Sequence, residues 1–143
     1  MNFALRYPAT LEVENGSAIV RLRDFPEALT EGLDKDQAVA NAIDCLDAAL
    51  HFRMKDGAAI PTPSPERSGD IGIVPTTETS MRVALYQAHR GSGLSLPEFA
   101  QRIGMDPARL HEILTTYRAF DLRKVGNALQ RLGKPVVLSV DAA

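Results

Sequence analysis

Apolar and polar residues alternate at the start of the chain. Phe3, Leu5, Tyr7, Leu11 and Val13 fall on one side and Arg6, Thr10, Glu12 and Glu14 on the other, the period-two pattern of a half-buried strand. Pro8 lies inside this run and has no N–H to donate, so the strand is expected at a sheet edge or bulged there. Asn15-Gly16 is a hairpin turn signal, and the return strand Ser17 to Arg23 places Ala18, Val20 and Leu22 opposite Arg21 and Arg23. Asp24-Phe25-Pro26 ends it, and Ala28 to Gly32 suggests a short third strand. The period then becomes helical. Asp34 and Gln37 have capping-box spacing, Val39, Ile43, Leu46 and Leu50 form a stripe widened by Ala42 and Ala49, and Gly57 stops the helix. Cys45 lies beside the stripe and reads as a small packed hydrophobe rather than a nucleophile. His51, with no second ligand at metal-binding spacing, reads as a solvated helix residue.

Residues 60–65, Ile-Pro-Thr-Pro-Ser-Pro, predict an extended, semi-rigid connector. Ile71 to Val74 offers one more strand to the first sheet, and Pro75 to Thr79 reads as the linker between domains. These boundaries divide the chain into residues 1–76 and 77–143. The second part is helical as far as Gly133, with Met81 to Arg90 as its first helix, and Pro135 to Val140 predicts a terminal strand.

The segment from Ser95 to Thr115 is the most informative. Ser95 and Glu98 have capping-box spacing, Pro97 suits a first turn, and Phe99, Ala100 and Ile103 face inward. Gly104 permits the left-handed conformation of a tight turn, Asp106-Pro107 opens a second helix, and Leu110, Ile113 and Leu114 pack it. Small Ala100, Gly104 four residues on and the apolar seam together resemble a DNA-binding helix-turn-helix of the phage-repressor class. A final helix, Leu122 to Leu132, turns Val125, Ala128, Leu129 and Leu132 inward. The resemblance places Ala108, Arg109, His111, Glu112 and Thr115 toward the groove, with Arg109 suited to guanine and Ala108 to a thymine methyl. Asp106 and Glu112 would repel phosphate, so backbone contacts fall to Arg118, Arg123 and Lys124 around the start of the last helix, and to Ser95.

Composition narrows the class. The chain has 143 residues, with 45% hydrophobic and 24% charged residues, the balance of a folded protein with room for two small domains. One cysteine cannot form an internal disulfide or a zinc cluster, and no apolar run has the length of a membrane span. The start of the chain lacks the features of a signal peptide, so a cytoplasmic location is expected. Net charge is −2, but residues 1–76 carry −5 and residues 77–143 carry +3, which suits two partners of opposite charge.

Taken in order, Tyr7-Pro8-Ala9, Gly16, Asp24-Phe25-Pro26, Ala28, Thr30, Gly32, the Ala-rich helix, the helix-turn-helix and Leu132-Gly133-Lys134 resemble a HicB-type antitoxin of the subgroup with a C-terminal helix-turn-helix. Glu27 departs from the pattern, which commonly has Gly after the Pro. The resemblance implies an α+β protein with a small, partly degraded ribonuclease-H-like domain ahead of a helical DNA-binding domain. It also implies a HicA-type toxin that cleaves messenger RNA and is neutralised by direct binding, and an operator on their shared operon. The loop Asp24, Phe25 and Glu27 combines two acids with an aromatic read as exposed, and is the expected toxin contact. A homodimer or higher homo-oligomer is expected, since operators are usually read by symmetric dimers.

Two other readings start from the same residues. A nuclease would need carboxylates converging on divalent ions, and Glu12, Glu14 and Asp24 sit at strand ends as solvent-facing charge. With no Ser/His/Asp or Cys/His arrangement and no Gly-rich phosphate loop, neither enzymatic activity nor a cofactor or metal is expected. The alternative from another class is a free-standing helix-turn-helix transcription regulator whose first domain senses a ligand or dimerises.

Overall fold

A computed structural model describes residues 4–141, so Phe3 of the first predicted strand lies outside the described residues. The chain forms two compact units, Met1–Ser80 and Met81–Ala143. The first contains β1 (Tyr7–Glu14), β2 (Ser17–Leu22), β3 (Leu29–Gly32), α1 (Lys35–Lys55) and β4 (Ile71–Ile73). The helix α2 (Thr77–Ser92) begins in it and continues into the second unit, which adds α3 (Leu96–Ile103), α4 (Pro107–Thr115) and α5 (Leu122–Arg131). The protein is therefore α+β, a sheet domain followed by helices.

The sheet is antiparallel throughout, in the order β3-β2-β1-β4. Asn15 and Gly16 close the β1–β2 hairpin with positive φ angles of 51° and 82°, as a two-residue turn of matching twist requires. β1 is a central strand, which corrects the edge position expected from Pro8. Ala9↔Leu22 is the last registered β1–β2 pair, so the missing donor of Pro8 falls just beyond that ladder. The Pro8 carbonyl still accepts from the Arg23 amide at 3.2 Å.

Tyr7, Ala9, Ala18, Val20 and Leu22 from the sheet meet Ala38, Ala42, Leu46, Leu50 and Met54 from α1, with Phe25, Ile60 and Ile73 closing the core. Gly32 ends β3 beneath the first turn of α1. A Cβ there would lie 2.5 Å from the Ala38 backbone nitrogen, so glycine is what lets helix and strand approach. Asp34 caps the helix by accepting from the Gln37 amide at 2.8 Å, and Gln37 Oε1 accepts from the Leu33 amide at 2.7 Å. The buried stripe is rotated from the predicted one. It runs through Ala38, Ala42, Leu46 and Ala49, while Val39 and Ile43 are half-buried. Small residues face the sheet because the close approach leaves no room for branched ones. His51 is buried, correcting its reading as solvated: the covered face widens at the end of α1 to include Ala49, Leu50 and His51 together.

The proline-rich connector is stitched to the first unit. Tyr7 Oη donates to the Pro61 carbonyl at 2.8 Å, the Ser64 amide and hydroxyl donate to Asp24, and Arg6 pairs with Glu66 at 2.8 Å. Arg23 and Asp70 form a two-pronged pair, both distances 2.8 Å. Burial raises the Tyr7 phenol above its ordinary pKa, and the Asp24 charge adds to the effect. The stretch expected as a linker is also tied down. Thr76 donates from its amide and hydroxyl to Asp47 at 3.1 and 2.7 Å, and α2 starts at the next residue.

In the second unit Val83, Leu85, Tyr86, Phe99, Ala100, Ile103, Leu110, Ile113, Leu114, Val125, Ala128 and Leu129 form the core. Residues 135–140 form no strand, contrary to the expectation. A strand needs a neighbour to bond, and every strand among the described residues belongs to the first unit.

Candidate nucleic-acid interface and partner face

Three caps build the helix-turn-helix. The Ser95 side chain accepts from the Glu98 amide at 3.2 Å and starts α3. Gly104, at φ 69°, ends α3 in the left-handed conformation, and the Met105 amide donates back to the Ala100 carbonyl at 2.9 Å. Asp106 then accepts from the Arg109 amide at 3.2 Å and opens α4 with Pro107 in its first turn. Leu110, Ile113 and Leu114 anchor α4 inward, which leaves Pro107, Ala108 and His111 exposed along its leading face. Thr115 is half-buried, its hydroxyl donating to the His111 carbonyl at 2.7 Å.

Arg109 and Glu112 are not held as free groove readers. Arg109 Nη1 donates to Glu112 Oε2 at 3.1 Å and Nη2 to the Ala119 carbonyl at 3.3 Å. Arg118 Nη1 donates to the other Glu112 oxygen at 3.0 Å. Hydrogen bonds from Arg109 and then Arg118 hold the Glu112 carboxyl below the usual carboxylate range. The bracket of three carries a net positive charge, so the acidic residue expected to oppose phosphate is screened by two guanidinium groups. Arg109 would have to leave Glu112 and the Ala119 carbonyl to reach a base. Arg123 and Lys124 are exposed at the start of α5, which Asp121 caps by accepting from the Arg123 amide at 2.9 Å.

One residue essential to this geometry was missed. Arg82 on α2 is 2% exposed, and its guanidinium donates to the carbonyls of Ile113, Thr116 (2.8 Å) and Arg118 (3.0 Å) while lying 4.6 Å above the Phe120 ring. It closes the carbonyl end of α4 and shapes the loop that delivers Arg118. The available signal was an arginine placed among Val83, Leu85 and Tyr86 on the inward face of its helix.

In the first unit the expected partner loop is built differently from the sequence reading. Phe25 is fully buried, edge-on to Tyr7 at 4.9 Å between ring centroids, with the Arg53 guanidinium 4.9 Å from its own ring. Its reading as an exposed anchor is corrected: the ring completes the core between sheet and α1. Asp24 is half-buried and holds Ser64. Glu27 is exposed and paired with Arg53 at 2.8 Å. Burial pushes Glu27 up, but the Arg53 hydrogen bond, a backbone hydrogen bond and the Arg53 charge together outweigh it, so its pKa lies below the ordinary value. Cys45 is half-buried, and burial, with Glu27 nearby, raises its thiol, which lowers the thiolate fraction a nucleophile needs.

These features define an α+β protein in which a sheet-and-helix unit precedes a helical unit bearing a helix-turn-helix. The chain belongs to the HicB-like antitoxin family of bacterial toxin-antitoxin systems, which its residues 6–84 match. It is similar beyond that segment to antitoxin HicB 1 of Photorhabdus laumondii subsp. laumondii, with 33% identity over 138 residues covering 96% of this chain and 88% of the relative. Antitoxin HicB of Escherichia coli strain K12 is 33% identical over 135 residues, covering 94% and 98% of the two chains. Antitoxin HicB of Pseudomonas fluorescens is 30% identical over 146 residues and the full length of both. An antitoxin role in a toxin-antitoxin system follows from this membership, and no helix among the described residues is long and apolar enough to cross a membrane.

Proposed function

We propose that the protein neutralises a HicA-type, messenger-RNA-cleaving toxin by direct binding, acts in the cytoplasm at least as a homodimer, carries no enzymatic activity of its own, and represses its own operon by binding operator DNA. The observation that carries the DNA reading is the outward face of α4. Its apolar residues are spent on the core, Pro107, Ala108 and His111 stand exposed, and Arg123 and Lys124 are exposed at the start of α5. An α-helix presented this way fits the major groove, with backbone contacts from the flanking cations. The −5 charge of residues 1–76 supports the toxin reading, because an RNA-cleaving partner is expected to be basic.

Two measurements test the two arms. Replacing Arg123 and Lys124 with alanine removes two phosphate contacts, so gel-shift affinity should fall for every sequence and the log–log salt slope should flatten by about 2. Toxin rescue in a growth assay should persist in that variant. Glu27→Lys should slow toxin association and weaken its salt dependence, without touching the Asp24–Ser64 bond that an Asp24 reversal would break. An unchanged salt slope refutes the phosphate assignment, and failure to co-purify with the product of the adjacent gene refutes the toxin assignment.

A further inference from the structure

Arg118 lies in the loop between α4 and α5, and its side chain is 78% exposed. A long side chain on a surface loop normally samples many rotamers, yet this residue is tied at every polar end. Its amide donates to Thr116 Oγ1 at 3.2 Å, its carbonyl accepts from Arg82 at 3.0 Å, and its guanidinium Nη1 donates to Glu112 Oε1 at 3.0 Å. The Thr116 hydroxyl in turn donates to the Glu112 carbonyl at 2.8 Å. Backbone and side chain of Glu112 therefore serve the two ends of the same arginine. Glu112 is itself held. Its carboxylate is 26% exposed, and the second oxygen accepts from Arg109, which is anchored on the Ala119 carbonyl. The contacts close a ring, because Ala119 follows Arg118 in the chain.

The ring leaves one edge of the Arg118 guanidinium open. Nε and Nη2 lie side by side on the edge away from Nη1, and neither makes a hydrogen bond among the described residues. Two parallel N–H groups in this fixed fork match two oxygens of a phosphate. We propose that Glu112 is a positioning residue for DNA binding, fixing Arg118 so that this edge meets a backbone phosphate. The acid thus strengthens the binding that its charge alone would weaken. A phosphate is favoured over a base because Arg118 lies beyond the C-terminal end of α4, whereas base edges are met by the N-terminal residues of a recognition helix. This role rests on the operator reading.

Two opposing effects decide the sign. Immobilising a rotamer-rich side chain on binding lowers affinity by about 2- to 13-fold, a cost removed where the free protein already holds it. Against this stands repulsion between the Glu112 carboxylate and the phosphate. With a guanidinium between them the two charges are about 7 Å apart, where water and physiological salt limit the effect to less than about twofold. Positioning wins.

The test is a gel-shift titration of the full-length protein on a duplex carrying the promoter region ahead of its own gene, and on a scrambled duplex of equal length. Glu112→Gln keeps the size of the side chain but offers one acceptor oxygen where two guanidinium groups need two. It also makes the protein more positive, so charge alone predicts tighter binding. Positioning predicts the reverse, binding about three- to tenfold weaker on both duplexes, with the loss retained at raised salt because ordering is not screened. Arg118→Ala should weaken binding to both and flatten the log–log salt slope by about 1. Adding Glu112→Gln to Arg118→Ala should then change affinity by less than about twofold, since no guanidinium remains to be placed. A merely structural role for Glu112 would weaken binding equally in both backgrounds, and that result overturns the proposal. Glu112→Gln binding as tightly as wild type, or more tightly, overturns it while leaving the operator reading intact. Wild-type protein that shifts neither duplex removes the operator reading and this role together.

Discussion

Arg82→Met removes the guanidinium that closes the end of α4 and keeps most of the aliphatic stem. The loss can be worked from the contacts. A hydrogen bond from a charged donor contributes about 1.5–3 kcal/mol net, and an acceptor left buried without a partner costs about 1–3 kcal/mol. The Ile113 carbonyl is buried and loses its donor outright, whereas the carbonyls of Thr116 and Arg118 are partly exposed and regain water. The stacking over Phe120 adds about 0.5–2 kcal/mol. A total of about 3–4 kcal/mol follows, since these contributions share one side chain and do not add fully. Against about 3–9 kcal/mol for a unit of 63 residues, that is from about a third to all of its stability. Urea unfolding followed by hydrogen exchange should show the amides of α4 and α5 losing protection while those of α1 keep theirs. Arg82→Lys keeps the charge but cannot span three carbonyls, so it should lie between wild type and Arg82→Met. A loss below about 1 kcal/mol for Arg82→Met would refute the argument, because one buried charged bond alone exceeds it.

Gly32→Ala forces a methyl against the Ala38 backbone, and overpacking of this kind should lower the stability of the first unit by about 1–3 kcal/mol in chemical denaturation. The Arg23–Asp70 pair predicts a pH dependence. The Arg23 hydrogen bonds, with the Arg67 amide, hold Asp70 below its ordinary value. Its stabilisation is therefore present above the ordinary carboxylate range and lost as pH falls through the lowered value. Asp70→Asn should lower the melting temperature of the first unit near neutral pH, and the gap to wild type should close on acidification. A gap of constant size would assign the loss to packing.

Elements governed by local chemistry were legible in the sequence. The Asn15-Gly16 turn, the caps Asp34, Ser95 and Asp106, and the Gly104 turn each depend on a side chain acting on backbone within a few residues, and each stands where its chemistry requires. Readings that depended on distant packing fared worse. Phe25 follows a strand and precedes a proline, like an exposed loop aromatic, but Tyr7 and Arg53 enclose it. The rotation of the α1 stripe follows from how closely Gly32 lets the helix approach, which periodicity within the helix does not encode. Arg109 and Glu112 were identified as surface residues of α4, yet their mutual pairing depends on Arg118 and Ala119 beyond the helix. Periodicity placed a strand at residues 135–140, where the single chain supplies no ladder.

The pairing of Tyr7 with Ile73 has a consequence for synthesis on the ribosome. The β1–β2 hairpin can close within about 1–10 μs of its emergence, because its partners are adjacent. β1 then waits for its other neighbour until the chain has been extended past α1 and the connector. At about 5–20 residues per second, the stretch from Gly57 to Ile73 alone takes roughly 1–3 s. Throughout that interval the side of β1 from Tyr7 to Ala9 is an unpaired edge, open to the wrong strand. The clasp residues Arg6, Tyr7, Arg23 and Asp24 are already in place before the connector arrives, so each newly made segment meets its anchor in order and draws β4 toward the edge. Released chains truncated before residue 71 should therefore aggregate more readily than chains that run past residue 80, the end of the first unit.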